Sequence, residues 1–270
     1  MHFHDWLNAI ILGVIEGLTE FLPVSSTGHL IVVGRWLGFN NELFDVFIQM
    51  GALSAVWWLF RDRLRRMIPW GGPTDAHGQR LLLNVLIGFL PIMAVGIPAH
   101  HWIKTHLPEV QSIAWASIGG GIVILLIERF KPGVAVENME SVTPRLALMV
   151  GLGQCLALCP GVSRSGATIM TGLVVGLSRS VATEFTFLLA VPTMSAATLV
   201  ELWKYRHELN SPMIGLLAIG FLVSYASALV VVKWFIRFVQ THTFAGFAWY
   251  RMVMGAALLL LVAKGFFSER

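Results

Sequence analysis

From Leu7 to Phe267 the chain alternates long apolar runs with short polar ones. Six runs are long enough, with their flanks, to cross a bilayer: Leu43–Phe60, Leu81–Ala99, Ile113–Ile127, Ala182–Leu202, Met213–Phe235 and Phe247–Phe267. A span needs about 20 apolar residues. Two further pairs are too short. Leu7–Phe21 stops at Pro23, and Leu30–Phe39 follows it. Ala147–Leu158 stops at Pro160-Gly161, and Ala167–Leu177 follows. Fifteen helical residues rise only about 22 Å against a hydrocarbon core of about 30 Å. Each pair is therefore expected to be a re-entrant helix–loop–helix that enters and leaves on one side.

The two short pairs are copies. A shift of 138 positions, without a gap, lays Gly13, Val24, Ser25, Gly28, Gly34, Gly38 and Phe47 on Gly151, Val162, Ser163, Gly166, Gly172, Gly176 and Phe185. An internal repeat means one structural unit used twice. The expected fold is an all-α polytopic membrane protein with six transmembrane helices and two re-entrant pairs. It forms one domain over 1–270, with repeat 1 near 1–130 and repeat 2 near 140–270.

Composition agrees: 56% of the 270 residues are hydrophobic and 13% charged, with mean hydropathy +0.72. Soluble domains carry about a quarter charged residues. No basic n-region or small-residue cleavage site opens the chain, so a cleaved signal peptide is not expected. The net charge of +4 does not point to nucleic acid, because the basic residues lie between apolar spans. Arg61, Arg63, Arg65 and Arg66 form the strongest basic cluster, which the positive-inside rule makes cytoplasmic. Arg129, Lys131, Arg145, Arg179, Lys233 and Arg237 then fall on the same side, and both chain ends fall outside. Lys204 and Arg206 fall outside against the rule, flanked by Glu201 and Glu208. An odd number of spans separates the repeats, so they enter from opposite faces and their tips can meet near the midplane.

Chemistry collects at those tips. Glu16 and Glu20 are one helical turn apart and share a face. Two carboxylates at membrane depth call for a cation, and their oxygens suit Mg²⁺ or Ca²⁺. A solvated helix end is the bland alternative. Ser25, Ser26, Thr27 and His29 open the next half-helix, where free N–H groups and the dipole favour phosphate. Simple capping is the alternative for Ser25 and Thr27. His29 titrates near neutrality and can serve as a base.

Pro160–Thr168 repeats the architecture with a fixed cation. Arg164 suits bidentate phosphate binding, flanked by the hydroxyls of Ser163, Ser165 and Thr168. A structural bridge from Arg164 to Glu16 or Glu20 is the alternative. Cys155 and Cys159 read as small core residues, and His100, His101 and His106 as solvated loop residues. Arg251 either snorkels or faces the site. Glu184 and Glu201 read as interfacial. The set assembles a kit for phosphate hydrolysis.

Glu16-Gly-Leu-Thr-Glu20 running into Pro23-Val-Ser-Ser-Thr-Gly-His29, together with Pro160-Gly-Val-Ser-Arg-Ser-Gly-Ala-Thr168, resembles the bacitracin-resistance-type undecaprenyl-diphosphatases of bacterial membranes. The resemblance extends to Glu184–Pro192 and Tyr250-Arg251 and covers nearly the whole chain. It implies six spans plus two inverted re-entrant pairs, often dimeric. The implied reaction removes the terminal phosphate of undecaprenyl diphosphate and returns the lipid carrier to cell-wall synthesis. It implies a divalent cation and a site opening to the periplasmic or outer face of the plasma membrane. Glu16, Glu20, Ser26, His29, Ser163, Arg164, Ser165 and Thr168 match its functional positions. On this reading Glu16 and Glu20 hold the cation, Arg164 and the hydroxyls hold phosphate, and Ser26 attacks with His29 as base. Attack by His29 itself, or by a water it activates, stays open. A secondary transporter or lipid flippase is the competing class, because inverted repeats with broken helices also mark transporters. Transport needs no nucleophile and base.

Overall fold

The computed structural model describes residues 3–68, 75–106, 109–130, 133–208 and 211–267. Eleven α-helices and no β-strand occur among them. They are α1 (Phe3–Thr19), α2 (Ser26–Leu37), α3 (Glu42–Leu59), α4 (Arg61–Met67), α5 (Ala76–His106), α6 (Glu109–Phe130), α7 (Pro144–Gln154), α8 (Arg164–Val174), α9 (Arg179–Lys204), α10 (Ser211–Thr241) and α11 (Ala245–Ala263). Helices α3, α5, α6, α9, α10 and α11 are long and apolar enough to span a membrane. The outward residues are apolar too. Leu7, Ile10, Val14 and Leu18 of α1 and Ile122, Val123 and Leu126 of α6 are exposed stripes that a soluble protein would bury. The protein is a multi-pass membrane protein.

Two features differ from the expectation. The basic cluster is itself a short helix, α4, and α5 continues through His100, His101 and His106, where the sequence pattern predicts a loop. Helix α5 tolerates Pro91 and Pro98 in its interior. Lys131 lies outside the described residues.

The repeat is visible in backbone detail. Gly38 ends α2 at φ 65° and Gly176 follows α8 at φ 93°, the left-handed region that glycine adopts without penalty. The Phe39 N–H donates to the Gly34 carbonyl at 2.8 Å, and the Leu177 N–H to the Gly172 carbonyl at 2.9 Å. Each member of those pairs lies 138 positions from its twin. The repeats also interlock. Helix α1 packs on α10, and α7 packs on α5. The twin glycines Gly13 and Gly151 sit at those crossings, where an added Cβ would fall 2.8 Å from the Gly220 carbonyl oxygen and 2.2 Å from that of Gly88.

Contacts at the two ends of the bundle fix the direction of each pair. Arg63 of α4 pairs with Glu184 near the start of α9, and Arg179 donates to Glu128 near the end of α6 at 2.5 and 3.2 Å. These groups define a basic end. At the other end Glu42, starting α3, accepts from Tyr205 and pairs with Lys204, at the end of α9. Helix α2 ends beside Glu42, and Trp6 of α1 packs on Gly215 near the start of α10. The first pair therefore opens to the Glu42 end. Asn84 near the start of α5 donates to the Val142 carbonyl just before α7, and the Ser178 N–H before α9 bonds the Val136 carbonyl. The second pair therefore opens to the basic end. The pairs are inverted, as the charge pattern predicts.

Candidate active site

Both breaks are set by local sequence. Helix α1 stops at Thr19, and turns through Glu20–Val24 carry the chain past Pro23, which cannot continue a helix. The cap of α2 is Ser25, the one non-glycine residue at positive φ among the described residues, at φ 68°. Such a conformation costs about 1–3 kcal/mol and persists where its surroundings impose it. His29 supplies one restraint: its Nδ1 lies 2.8 Å from the Ser25 carbonyl oxygen. In the second pair Ser163 is an ordinary cap, accepting from the Gly166 N–H at 3.1 Å.

The tips meet through three sets of bonds. Ser165 Oγ donates to the Leu22 carbonyl at 2.8 Å. Arg164 Nη2 donates to Glu20 Oε1 at 3.1 Å. Arg251 of α11 donates to carbonyls on both sides, Pro23 at 3.2 Å and Gly161 at 3.3 Å, and to Ala116 and Ser117 of α6. Arg251 is only 2% exposed, so it does not snorkel; it staples the two breaks to α6.

Between the tips lies a cavity of about 190 Å³, lined by Glu20, Ser25, Ser26, Thr27, Val162, Ser163 and Arg164, together with Ala157, Gln49 of α3 and Thr193, Met194 and Ala197 of α9. Inside it, Ser26 Oγ donates to Glu20 Oε2 at 2.5 Å. Glu20 thus joins the hydroxyl on one oxygen to the guanidinium on the other. Arg164 keeps Nη1 without a hydrogen-bond partner although that atom is buried. The Phe21 ring lies beneath it, its centroid 5.9 Å from the guanidinium carbon.

The expected partnership of Ser26 with His29 is not what the ring's bonds describe. A carbonyl only accepts, so Nδ1 carries the proton toward Ser25. In the neutral ring Nε2 is then the acceptor, and it lies 2.5 Å from the Tyr250 hydroxyl. Glu20, not His29, is in position to take the Ser26 proton. Ser165 and Thr168, expected to bind phosphate, are also committed elsewhere. Ser165 holds the Leu22 carbonyl, while Thr168 donates to the Arg164 and Ser165 carbonyls and accepts from Thr186. Both are fully buried and neither lines the cavity. Ser25, Thr27, Ser163 and Arg164 do line it.

Glu16 is 0% exposed, and neither of its carboxylate oxygens has a hydrogen-bond partner. Its charged neighbours are Glu20, Asp45 and Arg164. No group of three or more His, Cys, Asp or Glu side chains able to close around a metal ion occurs among the described residues. Cys155 and Cys159 are free thiols, and Cys159 is exposed rather than in the core. Glu184 is tied by Arg63, and Glu201 by Lys204.

Gln49, Thr193 and Tyr250 carry no local sequence signal of a role, because each sits in an otherwise ordinary span. Only the packing of α3, α9 and α11 around the tips brings them in.

Comparison with known proteins adds an independent line. The family described as "Bacitracin resistance protein BacA" matches residues 9–257. A protein named "Undecaprenyl-diphosphatase" from Nitrosospira multiformis is 48% identical over 268 residues, covering 97% of each chain. One of the same name from Cupriavidus metallidurans is 44% identical over 285 residues, again covering 97% of each chain. "Undecaprenyl-diphosphatase 2" from Rhodospirillum rubrum is 46% identical over 266 residues, with the same coverage.

Proposed function

The chain belongs to the bacitracin resistance protein BacA family and hydrolyses undecaprenyl diphosphate to undecaprenyl phosphate and inorganic phosphate; we propose that Ser26 is its nucleophile and Glu20 the base that activates it. The single observation that carries this assignment is the hydrogen bond from Ser26 Oγ to Glu20 Oε2 inside the cavity of the tips. A transporter reading is not favoured, since the comparisons converge on one hydrolytic activity and transport gives the dyad nothing to do.

The reaction has two displacements. Glu20 takes the Ser26 proton as Oγ attacks the terminal phosphorus. The bond from that phosphorus to the bridging oxygen breaks, and undecaprenyl phosphate leaves with the electron pair. Glu20 passes the Ser26 proton to the departing phosphate and is a carboxylate again. Water then attacks the phosphoserine and gives a proton to Glu20, and Glu20 returns it to Ser26 Oγ as the Oγ–phosphorus bond breaks and inorganic phosphate leaves. Arg164 holds the transferring group: Nη1 is a charged donor with no protein partner, while Nη2 keeps Glu20 in place. Ser26 is the first residue of α2 and Arg164 of α8, so both helix N-termini are directed at the anion. Ser25, Thr27 and Ser163 supply further polar contacts from the cavity wall. His29 acts as a positioning residue that restrains Ser25 and so sets Ser26, with Tyr250 holding the outer nitrogen.

A divalent cation fits this donor set. Glu16 offers two buried oxygens without donors, next to Glu20. A hard ion such as Mg²⁺ is commonly held by one or two carboxylates with the rest of its shell from water and substrate phosphate. Glu16, assisted by Glu20, would hold it, and when bound it would neutralise diphosphate charge. The first pair opens to the end opposite the Arg61–Arg66 cluster, which supports access for the diphosphate from the outer face of the membrane.

The test is phosphate release from undecaprenyl diphosphate by purified protein, with Ser26→Ala and Glu20→Gln compared. Both variants are expected to lose turnover while remaining folded. Full activity in either removes that residue from its role.

A further inference from the structure

A second cavity adjoins the tips and differs from the first in chemistry. It measures about 500 Å³ and is walled almost wholly by carbon. Gly119, Gly120, Val123 and Ile127 of α6 form one side, and Gly166, Ala167, Met170 and Val174 of α8 the other. Leu156, in the 3-10 turn Cys155–Leu158 that follows α7, and Cys159, extended just after it, form the rim. Val162 and Ser163 belong to both cavities, so the apolar space begins where the polar one ends. Arg251, which also lines the apolar cavity, is engaged by four backbone carbonyls. The opposite end is open: Val123, Leu156 and Val174 are each about half exposed on the apolar outer surface of the bundle.

We infer that this groove between α6 and α8 is the seat of the first isoprene units of the substrate, threaded sideways from the hydrocarbon with the diphosphate in the adjoining polar cavity. The inference rests on the hydrolytic reading above. An amphipathic substrate whose head must reach buried tips needs an apolar path that starts at the phosphate site and ends in lipid, and this groove has both properties. Its volume lies within the range of about 300–1,000 Å³ usual for small-ligand sites. That admits several isoprene units and leaves the rest of a long chain in the bilayer. Lipid is as apolar as the groove, so the selectivity gained comes from close packing rather than from escape from water. The effect of blocking it is correspondingly moderate, and it falls on binding.

Gly119 offers a clean test. Gly119 lines the groove and a Cβ added there meets nothing within 4 Å, so a substitution starts from the groove wall without a clash at its first atom. It also favours the helix, since glycine is a poor helix former. In Gly119→Leu, KM for undecaprenyl diphosphate is expected to rise about fivefold or more while kcat stays within about twofold of the parent, with Gly119→Ala intermediate. A second arm reads the groove without catalysis. In a Cys155→Ala background, undecaprenyl phosphate added to vesicles of plain phosphatidylcholine is expected to slow alkylation of Cys159 by a membrane-permeant maleimide. Unchanged KM in Gly119→Leu, or a collapse of kcat with KM unaltered, overturns the assignment. So does Cys159 alkylation indifferent to undecaprenyl phosphate, which would leave the groove to bulk lipid. Should the parent release no phosphate from undecaprenyl diphosphate, the hydrolytic premise fails instead, and Cys159 protection still reports on the groove.

Discussion

Ser26 and Glu20 face each other across the first break, hydroxyl to carboxylate at 2.5 Å, while Arg164 from the other repeat holds the second oxygen of Glu20 at 3.1 Å. On the proposed assignment the nucleophile and its base come from one repeat and the phosphate-binding cation from the other. Neither repeat carries a complete site, which gives a physical reason for bringing two inverted pairs tip to tip.

Arg164 bonds Glu20 through Nη2, and on the proposed assignment it binds phosphate through Nη1. Lysine keeps the charge but not the fork. Arg164→Lys is expected to stay folded and lose at least about tenfold in kcat/KM, near 1.4 kcal/mol of transition-state stabilisation. Steady-state kinetics at saturating and limiting substrate check this. Parental activity would show that one point charge suffices.

His29 is assigned to positioning, so its loss should slow the enzyme without removing an ionisation from the reaction. His29→Gln is expected to reduce kcat by about tenfold while the shape of the pH–rate profile between pH 5 and 8 is retained. The profile is the discriminating readout. Disappearance of its acidic limb in the variant would return His29 to the role of base.

Removal of divalent cations is expected to abolish turnover by the parent, with recovery on adding Mg²⁺ or Ca²⁺. Glu16→Gln should need a concentration about tenfold higher or more for half-recovery, because half of the carboxylate pair is gone. Titration of each cation into EDTA-treated protein measures it. Full activity of Glu16→Gln in EDTA would remove the cation from the account.

The inverted arrangement is open to labelling. Single cysteines at Asn41 and at Glu137, with Cys155 and Cys159 replaced, lie at the Glu42 end and the basic end of the bundle respectively. On spheroplasts an impermeant thiol reagent should label position 41 and spare position 137. The reverse pattern would turn the molecule over in the membrane.

Much of this was legible in the sequence. Pro23 and Pro160-Gly161 announce the breaks, and the twin glycines Gly38 and Gly176 announce the matching helix ends, because only special backbone geometry needs those residues. The basic cluster gives the topology, because like charges collect on one face. What the sequence withheld was direction. Ser26 and His29 lie one turn apart on α2, and that spacing allows them to interact, yet the ring is turned to the Ser25 carbonyl and Tyr250. Tyr250 is 221 residues away, and no local pattern connects the two. Ser165 and Thr168 read as phosphate ligands by type, but their hydroxyls were needed to satisfy carbonyls where buried chain meets buried chain. Arg251 looked ambiguous for the same reason: its four carbonyl partners come from three separate stretches of chain.

The most direct test of the Ser26–Glu20 dyad is to quench the reaction in acid during turnover of undecaprenyl diphosphate labelled in its terminal phosphate, and to map the label on the protein. The account predicts an acid-stable phosphoserine at Ser26 in the parent, and its absence from both Ser26→Ala and Glu20→Gln. Label on His29 in an acid-labile bond, or substantial phosphate release by Ser26→Ala, would contradict it.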